Sequence, residues 1–495
     1  MSEGTKEEGY PSEDRLVTCL VWGVSVSVVL VSFRAVGKFD LREHTPILLV
    51  DGVWAVLAPF LTYLILANYK KALKQPVVVA VGLFCLLAVV SELFGRGSVS
   101  VRAVGRYVVM AVTITGIAIL GDMGFRRKIA WWFFGGVVSA CCVSVVGYLI
   151  VSATGGMEEG VNPFVFVSQH PTFDGWPRLS GTYGHSPQHF GELLFAGLAV
   201  GLALKCRGKK LSEKVFLASI LVLACGLVLT FSISWLGGGI LLCGLFLWRI
   251  EKHRRLMGVA VVFGCLVASL GMTWLVTFGL PGQVVGGGEQ VKRGGRSLPE
   301  AHRIVVGQCQ KMDIYHYVTV FLDKKGKKCQ QFIRDEPYAH RLTLYEQSKR
   351  LSLEAFRRNW AFGVGSKEFE DYSVRAFALD YGVPKGRGRV HYVAPHSTYL
   401  GVPAKHGVLG LLGLISVLFA LGWVSPWREG SRKFRFSWFV WFGVIGMLAI
   451  GLNIDVDANR SFWILLGLLG GSRDFQGNKE SNEQQGKNRR KALKC

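Results

Sequence analysis

The sequence predicts an all-α polytopic membrane protein with about twelve transmembrane helices and one large, partly helical outer loop. Three observations predict it. Apolar residues make up 50% of the 495-residue chain, above the usual share for soluble domains. Apolar windows repeatedly approach the roughly 20 residues that cross a hydrocarbon core. Lysine and arginine concentrate in every second connection between those windows, as membrane topology requires.

The windows, in order, are 16–33, 45–67, 76–94, 102–121, 129–152, 188–205, 215–232, 235–249, 256–280, 399–421, 436–453 and 459–471. The 235–249 window is the weakest, and the alternation of the later spans depends on it. With the N-terminus placed in the cytoplasm, the inner connections read NYKKALKQ, DMGFRRK, CRGKKLSEK, WRIEKHRR and WREGSRKFR, and the tail ends in NRRKALKC. Each is rich in Lys or Arg, whereas the outer segment 153–187 carries only Arg178. This is the positive-inside pattern. The first outer turn, RAVGKFDLREH, departs from it mildly, and the basic outer loop 281–395 is long enough to translocate regardless of charge. The acidic start EGTKEEGYPSED lacks the basic n-region and small-residue cleavage site of a signal peptide, so the first helix is expected to be a retained span.

The expected organisation is therefore a cytoplasmic N-terminal segment 1–15, a membrane domain 16–280, a periplasmic loop subdomain 281–398, a second membrane part 399–471 and a disordered cytoplasmic tail 472–495. Within the loop, IYHYVTVFLDKKGKKCQQFIRD alternates apolar residues on either side of Lys-Lys-Gly-Lys-Lys, which predicts a β-hairpin. RLTLYEQSKRLSLEAFRRN has helical spacing, and WAFGVGSKEFEDY reads as a Gly-bounded turn into a short helix.

Composition excludes some classes. A net charge of +23 would suggest nucleic acid for a soluble chain, but here topology and anionic lipid account for it. Of 11 cysteines, most fall in spans, where Cys acts as a small hydrophobe. Cys309 and Cys329 share the outer loop and pair if that compartment is oxidising. No CxxC zinc spacing occurs. His185 and His189 stand at i and i+4, a spacing that can clamp a metal, but no third ligand is nearby and a capping or substrate-facing role is expected. Asp51, Glu92, Arg106 and Glu192 fall in or at the ends of spans, where charge is costly and marks function by default. Internal pairing, such as Glu92 with Arg106, is the simpler account.

Four segments then line up in order: RLSGTYGHSPQHFGELL from Arg178, RLTLYEQSKRLSLEAFRRNWAFGVGSKEF from Arg341 to Gly363-Val364-Gly365, PHSTYLGVPAKHGVLGLLGL with His396, and NRSFWILLGLLGG. Together, over roughly 178–470, they resemble the O-antigen ligase and O-antigen polymerase superfamily of bacterial envelope glycosyltransferases. Two positions depart from the family pattern. Ser397 stands where the family has Asn, and Trp235 in LTFSISWLGGG stands where an arginine that helps bind diphosphate is expected.

The resemblance implies transfer of a glycan from a polyprenyl diphosphate to an acceptor hydroxyl at the outer face of the bacterial inner membrane, with both termini cytoplasmic. It implies no metal, no cofactor and no nucleic acid; the partners are the lipid-linked donor, a lipid or glycan acceptor, and membrane lipid. The leaving diphosphate needs fixed positive charge, which arginine supplies bidentately, and the acceptor needs a base in the range of histidine. His396 is the implied base and Arg341 the implied diphosphate ligand. Arg350 is the alternative, because the stretch from Arg341 to Gly363 is about one helical turn longer than the family pattern. Arg178, His185 and Tyr399 are further substrate-binding candidates. Taken alone, a histidine at a membrane edge is a polar residue at home among headgroups. A ligase and a polymerase differ only in acceptor. A transporter or flippase, or a non-catalytic envelope assembly protein, is the competing class.

Overall fold

The computed structural model describes residues 11–33, 39–40, 46–47, 49–95, 99–154, 167–169, 177–183, 187–205, 213–230, 232, 238–239, 242, 319–322, 328–331, 351–369, 397–425, 436–451 and 459–471. The 256–280 window, most of 235–249 and the tail 472–495 lie outside these residues, as do Trp235 and Cys309.

Among them the fold is helical. The helices are α1 (Pro11–Ser32), α2 (Leu49–Ala67), the short α3 (Tyr69–Leu73), α4 (Pro76–Phe94), α5 (Val101–Leu120), α6 (Arg126–Thr154), α7 (Pro187–Lys205), α8 (Glu213–Leu229), α9 (Thr398–Trp423), α10 (Phe436–Ile450) and α11 (Arg460–Gly470). Local chemistry sets several ends. Pro76 opens α4, where its missing N–H costs nothing. Ser100 caps α5 by accepting from the Ala103 amide at 3.2 Å. Asn459 caps α11 by accepting from the Ser461 amide at 2.9 Å.

Five segments are long and apolar enough to cross a membrane: Arg15–Ser32, Leu49–Ala67, Pro76–Phe94, Ala103–Ile150 and Thr398–Trp423. The fourth runs 48 residues, far beyond one crossing, and is broken at Gly124, whose φ of 96° turns the chain between α5 and α6. Phe436–Ala449 and Arg460–Gly470 are shorter apolar helices. The chain is therefore an all-α membrane protein, and every apolar window within the described residues holds a helix.

The helices follow one another as neighbours round a ring, α1 on α2, α2 on α5, α5 on α11, α11 on α10, α10 on α7, α7 on α6, and α6 back on α1. One member of the ring, α7, is buried on every side from Phe190 to Leu204, as its all-round apolar sequence requires. α4 packs on α5, and α9 lies along α4. The outward residues of α2 and α9 are apolar and exposed, among them Val56, Phe60, Leu412 and Phe419, a surface suited to lipid rather than water.

The two ends of the bundle differ. At one end Gln75 at the start of α4 donates to Asp122 after α5, and Arg126 stands 3.7 Å from the same carboxylate. At the opposite end, Arg460 at the start of α11 donates to Asp51 at the start of α2, through Nε at 3.0 Å and through Nη2.

The hairpin expected around Lys-Lys-Gly-Lys-Lys is present: β5 (Thr319–Leu322) pairs antiparallel with β6 (Lys328–Gln331), Phe321 opposite Cys329. In chain order it follows two smaller hairpins, β1 (Phe39–Asp40) with β2 (Pro46–Ile47) and β3 (Val167–Gln169) with β4 (Pro177–Leu179). Residues 351–358 are helical, a turn follows, and 366–369 are helical again, as the spacing predicts.

Candidate functional site

The site is built on a break in α9. Pro403 lies inside this helix, and Gly407 adopts φ 60° and ψ −153°, a region open in practice only to glycine. Proline lacks the amide and crowds the preceding turn, so the sequence Pro403-Ala404-Lys405-His406-Gly407 interrupts the ladder. An interrupted ladder in a membrane must be satisfied by other protein groups.

The turn after helix 351–358 supplies them. Val408 N donates to Trp360 O at 2.8 Å and Leu409 N to Ala361 O at 3.4 Å. In return Val364 N donates to Ala404 O at 3.1 Å and Gly365 N to Lys405 O at 2.9 Å. In a continuous helix Val408 N would pair with Ala404 O and Leu409 N with Lys405 O, each four residues back. Trp360 and Val364 stand in the same relation, as do Ala361 and Gly365. The two helical segments have thus exchanged rungs, and the exchange leaves the number of hydrogen bonds unchanged.

Close approach makes the glycines necessary. Gly363 has φ 69°, and a Cβ there would overlap the Lys405 carbonyl and the His406 amide nitrogen. A Cβ on Gly407 would lie 2.5 Å from Gly363 N. Ala355, Val364, Phe369 and Ala404 close over the joint as a small apolar cluster.

A buried polar network sits beneath this joint, at the C-terminal end of α4. The His406 side chain is fully buried. Its Nε2 lies 2.6 Å from the Tyr107 hydroxyl of α5, and its Nδ1 lies 3.3 Å from Ser91 Oγ and 3.7 Å from Glu92 Oε1 of α4. Ser91 donates to Phe362 O at 2.5 Å. Glu92 accepts from the Ser366 amide at 2.9 Å and from the Ser366 hydroxyl. Arg106 and Lys405 are close enough to act on the Glu92 charge. Arg106 also stacks over the Tyr107 and Trp463 rings, at 6.0 and 5.9 Å. Glu92, for which the sequence suggested pairing with Arg106, has its hydrogen bonds from Ser366 and lies within a larger assembly that includes a histidine and a loop.

Of the residues singled out from sequence, His396, Arg341, Arg350 and His185 lie outside the described residues. Arg178 is buried in β4, opposite Ser168 of β3, and its Nε donates to Thr230 O at the end of α8 at 2.9 Å. This places it beside the segment LTFSISWLGGG. Tyr399 donates to Leu448 O of α10 at 2.9 Å, anchoring the first turn of α9. His189 stands 3.3 Å from Glu192, and among the described residues no cluster of three or more His, Cys, Asp or Glu side chains offers a metal site.

Sequence reasoning missed His406, Tyr107, Ser91 and Ser366. The available signal was Pro403 and Gly407 flanking a second histidine within one apolar window. Scanned against protein-family models the chain matches none, and no curated protein matches it.

Proposed function

We propose that this chain is an O-antigen ligase-like glycosyltransferase. It moves a glycan from a polyprenyl diphosphate to an acceptor hydroxyl at the outer face of the bacterial inner membrane. His396 acts as base, and Arg341 or Arg350, with Arg178, holds the diphosphate. A polymerase of the same superfamily runs the same chemistry with a lipid-linked glycan as acceptor.

One observation carries the reading. The Gly363-Val364-Gly365 end of the Arg-headed segment is stitched into α9 close below His396 in the chain, although residues 370–396 separate the two in sequence. A base and a diphosphate ligand borne on these two segments would be held in fixed relation. A third motif segment adjoins them, since Trp463 of NRSFW lies by Arg106 and Tyr107. The burial of Arg178 against Thr230, five residues before Trp235 in the chain, supports its standing in for the arginine expected at position 235.

The broken helix favours a second reading, transport, because discontinuous helices hold substrates in many transporters. The terminal amides and carbonyls that would bind such a substrate are already taken by residues 360–365, which weighs against it.

The test is a reconstituted assay with a polyprenyl diphosphate glycan and a hydroxyl acceptor. The wild-type protein should form a glycosylated acceptor and release polyprenyl diphosphate, and His396→Ala should lower turnover by about 100-fold or more. Transfer by His396→Ala at the wild-type rate would refute the assignment.

A further inference from the structure

Directionality in the buried network points to a role for His406. Phe362 O is an acceptor only, so the single hydroxyl proton of Ser91 is spent on it. Ser91 Oγ must then accept from His406 Nδ1–H. In the neutral ring this leaves Nε2 as the acceptor for the Tyr107 hydroxyl. The polarity runs one way from α5 through the ring and α4 to the loop backbone. Adjacent on α4, Glu92 grips the loop again at Ser366. Ser91 and Glu92 thus hold the two sides of Gly363-Val364-Gly365; His406 fixes Ser91 through Nδ1–H at 3.3 Å, and Glu92 Oε1 lies 3.7 Å from the same nitrogen.

We propose that His406 is a positioning residue: with Tyr107, Ser91 and Glu92 it forms a latch that seats residues 360–366 in the break of α9 and sets their register. The latch is needed because rung exchange alone does not choose between docked and undocked states. The hydrogen-bond count is equal in both, and only side chains can bias it. A buried imidazole inside a span is costly unless it does such work. The effect on transfer rests on the function proposed above, because the latch then sets where the arginine-bearing helix stands relative to His396; the latch itself does not depend on that function.

The test uses the full chain in lipid nanodiscs and amide hydrogen exchange. His406→Phe keeps the ring and removes both polar contacts. Exchange in 359–369 should rise about 10- to 100-fold, with 404–409, which can close its own ladder, and segments 110–120 and 193–203 unchanged. His406→Gln, which offers one acceptor and one donor, should restore most of the protection. Ser91→Ala, a smaller change, should loosen 359–369 alone and serves if His406→Phe does not fold. Wild-type protection in both His406→Phe and Ser91→Ala would overturn the proposal, and so would a rise of equal size throughout the bundle. Failure of the transfer reading shows differently, as no transfer by the wild-type protein. If transfer does occur, His406→Phe should lower turnover and His406→Gln should recover it.

Discussion

Replacing Gly407 by alanine isolates the joint in α9. The native backbone at this residue, φ 60° and ψ −153°, costs a non-glycine residue about 1–3 kcal/mol. The new methyl would also lie 2.5 Å from both the Ala361 carbonyl carbon and Gly363 N. These are backbone atoms, so no rotamer change relieves the clash. Alanine is moreover favoured over glycine by about 1 kcal/mol in a helix. The undocked alternative is cheap, because Val408 and Leu409 can return to Ala404 and Lys405 and close the ladder. Adding strain to propensity, the docked state should lose about 2–4 kcal/mol relative to a mended helix, a factor of roughly 30 to 1,000 in its population.

The expected result is a folded protein with α9 continuous and residues 359–369 released. Amide exchange of 359–369 should rise by that factor, while 404–409 stays protected by its own helix. That asymmetry separates mending from general loosening. Gly422→Ala, in the same helix with nothing within 4 Å of the added methyl, should leave 359–369 as in the wild type. Unchanged protection of 359–369 in Gly407→Ala would refute the reasoning.

Two further outcomes concern the ends of the bundle. Asp51→Asn should destabilise the protein by about 1 kcal/mol, since its partner Arg460 is only partly exposed while the carboxylate is more open; thermal unfolding of the single and double variants with Arg460→Gln should show that the losses do not add. Arg178→Leu should cost about 1–3 kcal/mol by leaving the Thr230 carbonyl without its donor. Arg178→Lys should recover part of this in the same melt.

Much of the fold was legible because periodicity and charge report it directly. The α4 window agrees with its helix residue for residue, Pro76 and the terminal Gly95 marking the ends. The Lys-Lys-Gly-Lys-Lys hairpin and the Gly-bounded turn at 359–365 were legible for the same reason, since their backbone needs appear as residue types. The site was less so. Pro403 and Gly407 announce an interruption but not what fills it, because rung exchange uses backbone atoms that every residue carries. The bond from Ser91 to Phe362 joins residues 271 positions apart, and nothing local to either marks the other. Glu92 was legible as a costly charge. Its partner choice was not, because serine in a loop looks the same whether or not it meets a carboxylate.

The rung exchange also bears on how the protein is made. Residues 360–365 leave the ribosome before 404–409, so the guest segment is already made when α9 enters the bilayer. The helix is free to be inserted as an ordinary unbroken span, with its polar backbone shielded during passage, and to open only once its guest has arrived. An irregular membrane segment that would be hazardous to insert as such is thereby assembled after insertion, from two regular ones.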